Sequence, residues 1–187
     1  MANGADDRAD GSETLYDAGG VRDLIRQLAD RMLDDMAGQA DPCLVGIQRR
    51  GDTLARRLAG IFAEQLGREI PCGSLDITLY RDDFDSLAPQ PLVGKTAVPF
   101  EVAGKTLYLV DDVLYPGRTI RAALDELSAL GRPSRIILAA LIDRGGRELP
   151  IAPDHAAASI SVQPGHEIQV LLTEDDGEDA VLLYHRT

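Results

Sequence analysis

An apolar run, two aspartates and a glycine-containing turn follow one another in TLYLVDDVLYPGRT, residues 106 to 119. The apolar run predicts a buried strand, and the helical spacing after Gly117 predicts a helix up to Gly131. Carboxylates at a strand end accept hydrogen bonds from sugar hydroxyls, while turn amides and a helix N-terminus hold phosphate. The stretch therefore predicts a sugar-phosphate site at the carboxyl edge of a sheet. A solvated acidic turn that caps a helix is the alternative interpretation.

Strands and helices alternate on both sides of this stretch. Helical periodicity extends from about Asp17 to Ala37 and from Gly51 to Gly67. Strands are predicted at CLVGI (43 to 47), SLDITLY (74 to 80), SRIILAALID (134 to 143), SISVQ (159 to 163), EIQVLLT (167 to 173) and AVLLYHR (180 to 186). This alternation predicts an α/β fold with a mostly parallel central sheet, flanked by helices and closed by the last three strands.

The chain has 187 residues, which is enough for one domain with a full core. We expect this domain over residues 15 to 187. Residues 1 to 14, MANGADDRADGSET, are small, polar and acidic, and this composition predicts a disordered tail. RDDFDSLAPQPLVGKTAV, residues 81 to 98, mixes charges, proline and glycine without a period. A connection that long is usually functional or disordered.

Composition argues against several classes of protein. The net charge of −12 repels polyanions, so an RNA site would need a local basic patch. Cys43 and Cys72 have no Cys-x-x-Cys or histidine-rich partner, which predicts reduced core thiols and neither a disulfide framework nor a zinc site. The sequence has no secretory signal, and no apolar run approaches the roughly 20 residues that span a bilayer. We therefore expect a cytoplasmic protein without a membrane partner.

Five segments of the chain also follow a recognisable order. They are GIQRRG (46 to 51), LDITLYRDDF (75 to 84), VDDVLYPGRT (110 to 119), GRP (131 to 133) and LIDRGGRELPI (141 to 151). In this order they resemble the PyrR family of pyrimidine operon regulators and uracil phosphoribosyltransferases, over nearly everything from Asp17 onward. The resemblance implies a type I phosphoribosyltransferase fold, with a small hood and a mobile flap. It also implies use of phosphoribosyl pyrophosphate (PRPP) with Mg²⁺.

The resemblance assigns catalytic roles to Asp111, Asp112 and Arg81, and PRPP binding to Arg49 and Arg50. Arg49 and Arg50 belong to the loop that meets pyrophosphate, and Arg81 belongs to the flap that closes on PRPP. Asp111 and Asp112 bind the ribose hydroxyls. No residue is expected to hold a metal on its own, because Mg²⁺ arrives with PRPP, where the two aspartates can meet it.

The resemblance also implies the remaining binding residues and the partners. The PRPP and nucleotide turn contributes Val113, Leu114, Tyr115, Pro116, Gly117, Arg118 and Thr119. The base pocket contributes Ile142, Asp143, Arg144 and Ile160. Expected partners are PRPP, uracil and UMP, and the expected assembly is a homodimer or a larger homo-oligomer.

Each charged group has a simpler interpretation. Arg49 and Arg50 could be solvated at a helix start, although cations there oppose the helix dipole. Arg81 with its acidic neighbours could be an exposed charged turn, and spacing alone supports this interpretation as well as it supports a role in the flap. Surface ion pairs of little energetic consequence are the simpler interpretation of Asp143 with Arg144 and of Arg147 with Glu148.

The sequence departs from the family pattern at the phosphate turn and on the RNA-binding face. Pro116 stands where Thr or Ser is usual, so the turn loses an amide proton and a hydroxyl, each worth about 1.5 to 3 kcal/mol in a charge-assisted bond. Gly146, Ala152 and Ala158 stand where that face would gain hydrogen bonds or charge. Together with the acidic net charge, these positions predict weakened RNA recognition.

Three functions remain open on the sequence. The first is an enzyme that makes UMP from uracil and PRPP and regulates pyrimidine synthesis. The second is a regulator that senses UMP or PRPP with little or no catalysis and weak or absent RNA binding, which Pro116 favours. The third is a purine or orotate phosphoribosyltransferase, and the DITLYRDD and DRGGRELP stretches argue against it.

Overall fold

The computed structural model describes residues 11 to 77 and 96 to 185. The helices there are α1 (Ala18–Ala37), α2 (Gly51–Leu66), α3 (Arg118–Leu130) and the short α4 (Thr173–Asp176). The strands are β1 (Glu13–Tyr16), β2 (Pro42–Ile47), β3 (Cys72–Leu75), β4 (Thr106–Leu114), β5 (Arg135–Asp143), β6 (His155–Ser159), β7 (His166–Leu171) and β8 (Ala180–His185). None of these helices is long and apolar enough to cross a membrane.

Five strands form a parallel sheet in the order β3-β2-β4-β5-β6. Gly46 of β2 lies opposite Val110 of β4, and Leu114 of β4 lies opposite Asp143 of β5. Asp143 in turn lies opposite Ser159 of β6. Because parallel strands run in the same direction, the carboxyl ends of β2, β4, β5 and β6 share one edge of the sheet, where open α/β folds bind ligands.

Strand β4 explains why helices cover both faces of this sheet. Tyr108 and Val110 belong to a core cluster with α1 and α2, whereas Leu107 and Leu109 belong to a second cluster with α3. All four side chains are fully buried. Because successive strand residues point to opposite faces, an apolar run of this kind needs cover on both sides. The predicted parallel sheet with helices on each face is confirmed.

Two glycines let α2 begin directly against the sheet. A Cβ on Gly46 would overlap the Cα of Asp52 and the carbonyl oxygen of Gly51. A Cβ on Gly51 would lie 2.7 Å from the carbonyl oxygen of Val110. Backbone atoms cannot yield as the end of a flexible side chain can, so both positions need glycine. The close approach brings the loop before α2 against β4.

The last strands do not close the parallel sheet as expected. β7 and β8 pair antiparallel, and β8 also pairs with β1, in a separate sheet of order β1-β8-β7. The strand expected at SISVQ is misplaced as well, because the edge strand β6 is HAAAS, His155–Ser159. Alanine and histidine have little intrinsic preference for strands, so the stronger local pattern of SISVQ misled the prediction.

Residues 12 to 14 are ordered and do not belong to the disordered tail that the sequence predicts over residues 1 to 14. Ser12 is fully buried, and Glu13 and Thr14 pair with Leu183 and Leu182 of β8. Residues 1 to 10 lie outside the described part of the chain. Strand β1 was missed because its stability comes from pairing with β8, near the other end of the sequence, and composition does not reveal such a pairing.

The end of the predicted flap lies against the sheet edge. Ser74 and Ala97 exchange backbone hydrogen bonds of 2.8 and 2.9 Å. The Asp76 amide donates to the Thr96 hydroxyl at 3.2 Å. Residues 96 to 98 therefore pack beside β3, while residues 78 to 95, including Arg81, lie outside the described residues.

Cys43 and Cys72 are free thiols, in agreement with the prediction. Cys43 is fully buried in β2, and burial raises the pKa of Cys72 to about 11. A thiol with so high a pKa is almost wholly protonated at neutral pH and is therefore a poor nucleophile.

Candidate active site

Asp111 and Asp112 lie inside β4, which continues to Leu114 instead of ending at the acidic pair. The Asp111 side chain accepts a hydrogen bond from the Asp112 amide at 3.1 Å, and Asp111 is only 4% exposed. The Asp112 side chain accepts one from the Val113 amide at 2.8 Å. Local backbone amides thus fix the orientation of both carboxylates at the end of the strand.

Burial raises the pKa of Asp112 above its usual range. The Val113 amide and the positive charge of Arg50 act in the opposite direction. Because desolvation is the larger effect, Asp112 is a carboxylate whose charge is incompletely compensated, and hydroxyl donors or a cation would stabilise it. Carboxylates perturbed in this way concentrate at functional sites.

Pro116 and Gly117 form the turn between β4 and α3. Gly117 has a φ of +109°, in the left-handed region that favours glycine. The Pro116 carbonyl oxygen accepts the Glu148 amide at 3.1 Å. Gly117 has no side chain with which to cap α3, so the first amides of the helix can bind an anion.

The other predicted turn residues have different environments. Val113 is half-buried and Leu114 is buried, both at the end of β4, whereas Thr119 is half-buried in the first turn of α3. Arg118 is exposed and pairs with Glu148 at 2.6 Å. Glu148 therefore pairs with Arg118, and the simpler interpretation that joined it to the neighbouring arginine is wrong.

The loop between β2 and α2 brings Arg49 and Arg50 to the same edge. The Gln48 amide donates to the Leu75 carbonyl oxygen at 2.8 Å, which holds the start of the loop on β3. Arg50 has a φ of +73°, an unusual value for a residue with a side chain. Such conformations cluster at ligand-binding sites. Arg49 is exposed.

Arg50 is not solvated, contrary to the simpler interpretation. Its Nε and Nη2 atoms donate to the two carboxylate oxygens of Asp176 at 2.9 and 2.8 Å. These bonds hold the pKa of Asp176 below its usual range. Asp176 was missed in the sequence, where the available signal is the acidic run TEDDGED, residues 173 to 179.

Tyr115 and Arg144 stack next to the phosphate turn. The Arg144 guanidinium carbon lies 3.5 Å from the centroid of the Tyr115 ring, and Nη2 donates to the His166 carbonyl oxygen at 2.7 Å. Gly146 also lies against this ring, because a Cβ there would be 2.7 Å from the Tyr115 Cε2 atom. Tyr115 remains 41% exposed, so part of an aromatic surface is open to a ligand.

The other predicted base-pocket residues lie where β5 and β6 end. Ile142 is fully buried in the core with α1 and α2, so only its backbone reaches the edge of the sheet. Ile160 packs against the same core, and its amide donates to the Asp143 carbonyl oxygen at 2.9 Å. The structure thus joins Asp143 to Ile160.

Known proteins with similar sequences decide the family. The family model for the phosphoribosyl transferase domain matches residues 11 to 168. A bifunctional protein PyrR from Pelotomaculum thermopropionicum is 49% identical, over 90% of this chain and 93% of its own. Another from Thermus thermophilus is 46% identical, over 92% and 95%. The chain belongs to the PyrR family. The resemblance drawn from the five sequence segments is therefore confirmed.

Solved structures share the fold of this PyrR-family chain at much lower identity. HGPRT-ase from Leishmania tarentolae in complex with GMP aligns with a TM-score of 0.67 at 15% identity, covering 93% of this chain and 96% of that one. A hypoxanthine phosphoribosyltransferase from Staphylococcus aureus aligns with a TM-score of 0.61 at 15% identity, covering 81% and 79%. The predicted type I phosphoribosyltransferase fold is confirmed.

In this PyrR-family chain, Arg147 organises the loop that follows β5. Its Nη2 atom donates to Asp143 at 2.6 Å. Its other donors reach the carbonyl oxygens of Leu114, Gly145 and Ile151 at 3.1, 3.0 and 2.8 Å. Asp143 thus pairs with Arg147, and the simpler interpretation that paired it with the adjacent arginine is wrong. Sequence reasoning missed this role because the side chain mostly binds backbone.

Two further sequence predictions for the PyrR-family site concern Arg81 and the metal ion. Arg81, predicted to act with the acidic pair, lies outside the described residues. Within residues 11 to 77 and 96 to 185, no three His, Cys, Asp or Glu side chains are grouped to hold a metal ion.

Proposed function

We propose that this protein transfers the phosphoribosyl group of PRPP to uracil, giving UMP and pyrophosphate, and that it regulates pyrimidine synthesis. One observation carries the proposal: the acidic pair, the glycine turn before α3 and the Arg49–Arg50 loop share one edge of the parallel sheet. Gly51 packs against Val110, and the charge of Arg50 acts on Asp112. Membership of the PyrR family supports both activities, since the relatives are named bifunctional.

The proposed roles follow from the two charges that the reaction separates. The bond between the anomeric carbon and pyrophosphate breaks as the ribose gains positive charge. Asp111 and Asp112 orient the ribose hydroxyls and favour that charge. Arg49, Arg50 and Arg81 neutralise the pyrophosphate, which leaves with the bonding electron pair. The uracil nitrogen bonds to the anomeric carbon and loses its proton, which completes UMP.

The phosphate and the base would occupy neighbouring parts of the edge. The first amides of α3, from Gly117 to Thr119, suit the 5′-phosphate because they point out of an uncapped helix end. The exposed part of the Tyr115 ring suits a planar base, since aromatic rings stack readily. Arg144 would hold that ring, and the Asp143 and Ile160 backbones would form the floor of the base pocket.

Mg²⁺ fits this donor set as the ion that PRPP carries. Carboxylate oxygens are ligands that Mg²⁺ prefers, and Asp111 and Asp112 would hold it together with the substrate. The raised pKa of Asp112 is consistent with a position that gains from a nearby cation. When bound, Mg²⁺ neutralises charge on the departing pyrophosphate.

A regulator that senses UMP or PRPP with little turnover is the second candidate, and Pro116 favours it. Proline has neither an amide proton nor a side-chain hydroxyl, so the turn offers the phosphate fewer donors than it would with Thr or Ser at this position. RNA recognition is weak in either case because of the net charge of −12. A homodimer or larger homo-oligomer is the assembly that the PyrR resemblance implies, and the cytoplasm is its proposed location.

The test incubates the purified protein with PRPP, Mg²⁺ and labelled uracil and follows UMP by chromatography, with orotate and hypoxanthine in parallel. UMP formation from uracil, with no nucleotide formed from orotate or hypoxanthine, supports the enzyme. The second candidate predicts no UMP, although UMP and PRPP still raise the melting temperature. Nucleotide formed from orotate or hypoxanthine, but not from uracil, would contradict both candidates.

A further inference from the structure

One acidic segment holds two arginines of α2 and the loop before it. Residues 173 to 179, TEDDGED, connect β7 to β8 and include α4. Arg57 donates to Glu174 and Asp179, and Arg50 donates to Asp176. The segment therefore ties the antiparallel sheet to the loop that carries Arg49 and Arg50.

Asp176 is itself held in place. Its Oδ2 atom accepts the Leu172 amide at 3.0 Å in addition to Arg50 Nε, and its side chain is 13% exposed. A carboxylate whose orientation is fixed also fixes the arginine that binds it. In a bidentate ion pair the guanidinium and the carboxylate are held by two parallel hydrogen bonds, which define their relative orientation. Arg50 itself has a φ of +73°, an unusual value for a residue with a side chain.

The pairing leaves part of the guanidinium for a ligand. Both bonds to Asp176 use the Nε and Nη2 atoms. Within the described part of the chain, Nη1 makes no side-chain hydrogen bond. A guanidinium has five donor hydrogens, so one carboxylate does not exhaust it. Gly51, the residue after Arg50, lies against β4, since a Cβ there would be 3.2 Å from the Asp111 Cα atom, so the Arg50 loop lies beside the acidic pair.

We propose that Asp176 is a positioning residue for the leaving group: it binds one side of Arg50 so that Nη1 faces the pyrophosphate of PRPP. This inference rests on the proposed function, which puts Arg50 on pyrophosphate. A long side chain ordered in advance loses less entropy when the ligand binds. UMP has no pyrophosphate, so its binding does not use this contact.

The experiment measures Asp176→Asn in UMP synthesis and in direct binding. Asparagine keeps the size of the side chain but replaces one of the two acceptors and removes the charge. We expect the KM for PRPP and the inhibition constant of pyrophosphate to rise about tenfold, the effect of one charge-assisted hydrogen bond. The dissociation constant of UMP, measured by calorimetry, should stay within about twofold of the wild-type value, which a general loss of structure would not allow.

Three further variants test whether the effect of Asp176→Asn is specific to the pair between Asp176 and Arg50. Glu174→Gln alters the same segment at its half-exposed pair with Arg57, and it should leave all three constants within about twofold. Arg50→Lys keeps the charge but loses both the bidentate pair with Asp176 and the Nη1 donor, so it should raise the same two constants by at least as much. Adding Asp176→Asn to Arg50→Lys should then have little further effect. Asp176→Glu should recover part of the pyrophosphate affinity.

Three results would overturn the inference. The first is unchanged PRPP and pyrophosphate constants in Asp176→Asn or, if that variant does not fold, in Arg50→Lys. The second is tighter pyrophosphate binding, which would mean that Asp176 competes with the ligand. The third is an equal loss for UMP, which would mean a structural effect. If the wild-type protein makes no UMP, calorimetry with pyrophosphate still decides the role of Asp176, while the proposed reaction fails separately.

Discussion

Arg147→Met tests whether one side chain holds the loop of residues 144 to 151 on the sheet edge. Methionine keeps the apolar stem but loses four hydrogen bonds, one to the Asp143 carboxylate and three to carbonyl oxygens. Breaking a buried ion pair costs about 3 to 5 kcal/mol, and we take the lower end because both side chains are about a fifth exposed. A loss of about 3 kcal/mol corresponds to a fall in melting temperature of about 6 to 12 °C for a domain of this size.

Urea unfolding and thermal melting measure this loss, with Arg118→Met as the matched control. Arg118 pairs with Glu148 in the same region, but both side chains are half exposed, at 52% and 51%. Exposed pairs contribute about 0 to 1 kcal/mol, so the control should melt within about 4 °C of the wild type. The reasoning is refuted if Arg147→Met is as stable as the wild type, or if the control loses as much.

Three further changes have separate outcomes. Gly46→Ala should lower the free energy of unfolding by about 3 kcal/mol or more, because its Cβ overlaps backbone atoms at the start of α2. Urea unfolding measures this, and a loss below about 1 kcal/mol would contradict the prediction. The pKa of Asp179 is lowered to about 2 by Arg57 and Thr173, so its stabilising contribution is complete above about pH 4 and is lost as the pH falls towards 2. Arg57→Met should therefore flatten the stability curve between about pH 4 and 2, and parallel curves would exclude this pair as the cause. Pro116→Thr should lower the KM for PRPP by about tenfold, and an unchanged value would mean that the turn does not use those donors.

The centre of the site could be predicted because its signals are local. An apolar run, two aspartates and a turn before a helix are neighbours in the sequence, and their order fixes their place at the edge of a parallel sheet. Gly117 follows the same logic, since a left-handed turn residue is most often glycine. Asp111 and Asp112 therefore lie near the carboxyl end of β4, although the strand continues to Leu114, and α3 begins directly after Gly117, as the sequence predicts.

The missed contacts depend on residues that are far apart in the sequence. Arg50 and Asp176 are separated by 126 positions, and no local pattern joins a cation in one loop to a carboxylate in another. Strand β1 was missed for the same reason, because Glu13 pairs with Leu183 near the other end of the sequence. Arg147 illustrates a different obstacle: it binds three carbonyl oxygens, and backbone acceptors leave no mark in the sequence.

The most direct test of the central claim compares UMP synthesis by Asp112→Asn and Asp125→Asn. Both changes remove one carboxylate charge, but Asp125 is exposed on α3 and lies outside the proposed site. The account predicts that Asp112→Asn lowers kcat/KM for PRPP by at least about 100-fold, as expected when a group that stabilises transition-state charge is lost, while Asp125→Asn keeps the wild-type rate. UMP synthesis by Asp112→Asn within a few-fold of the wild type would contradict it.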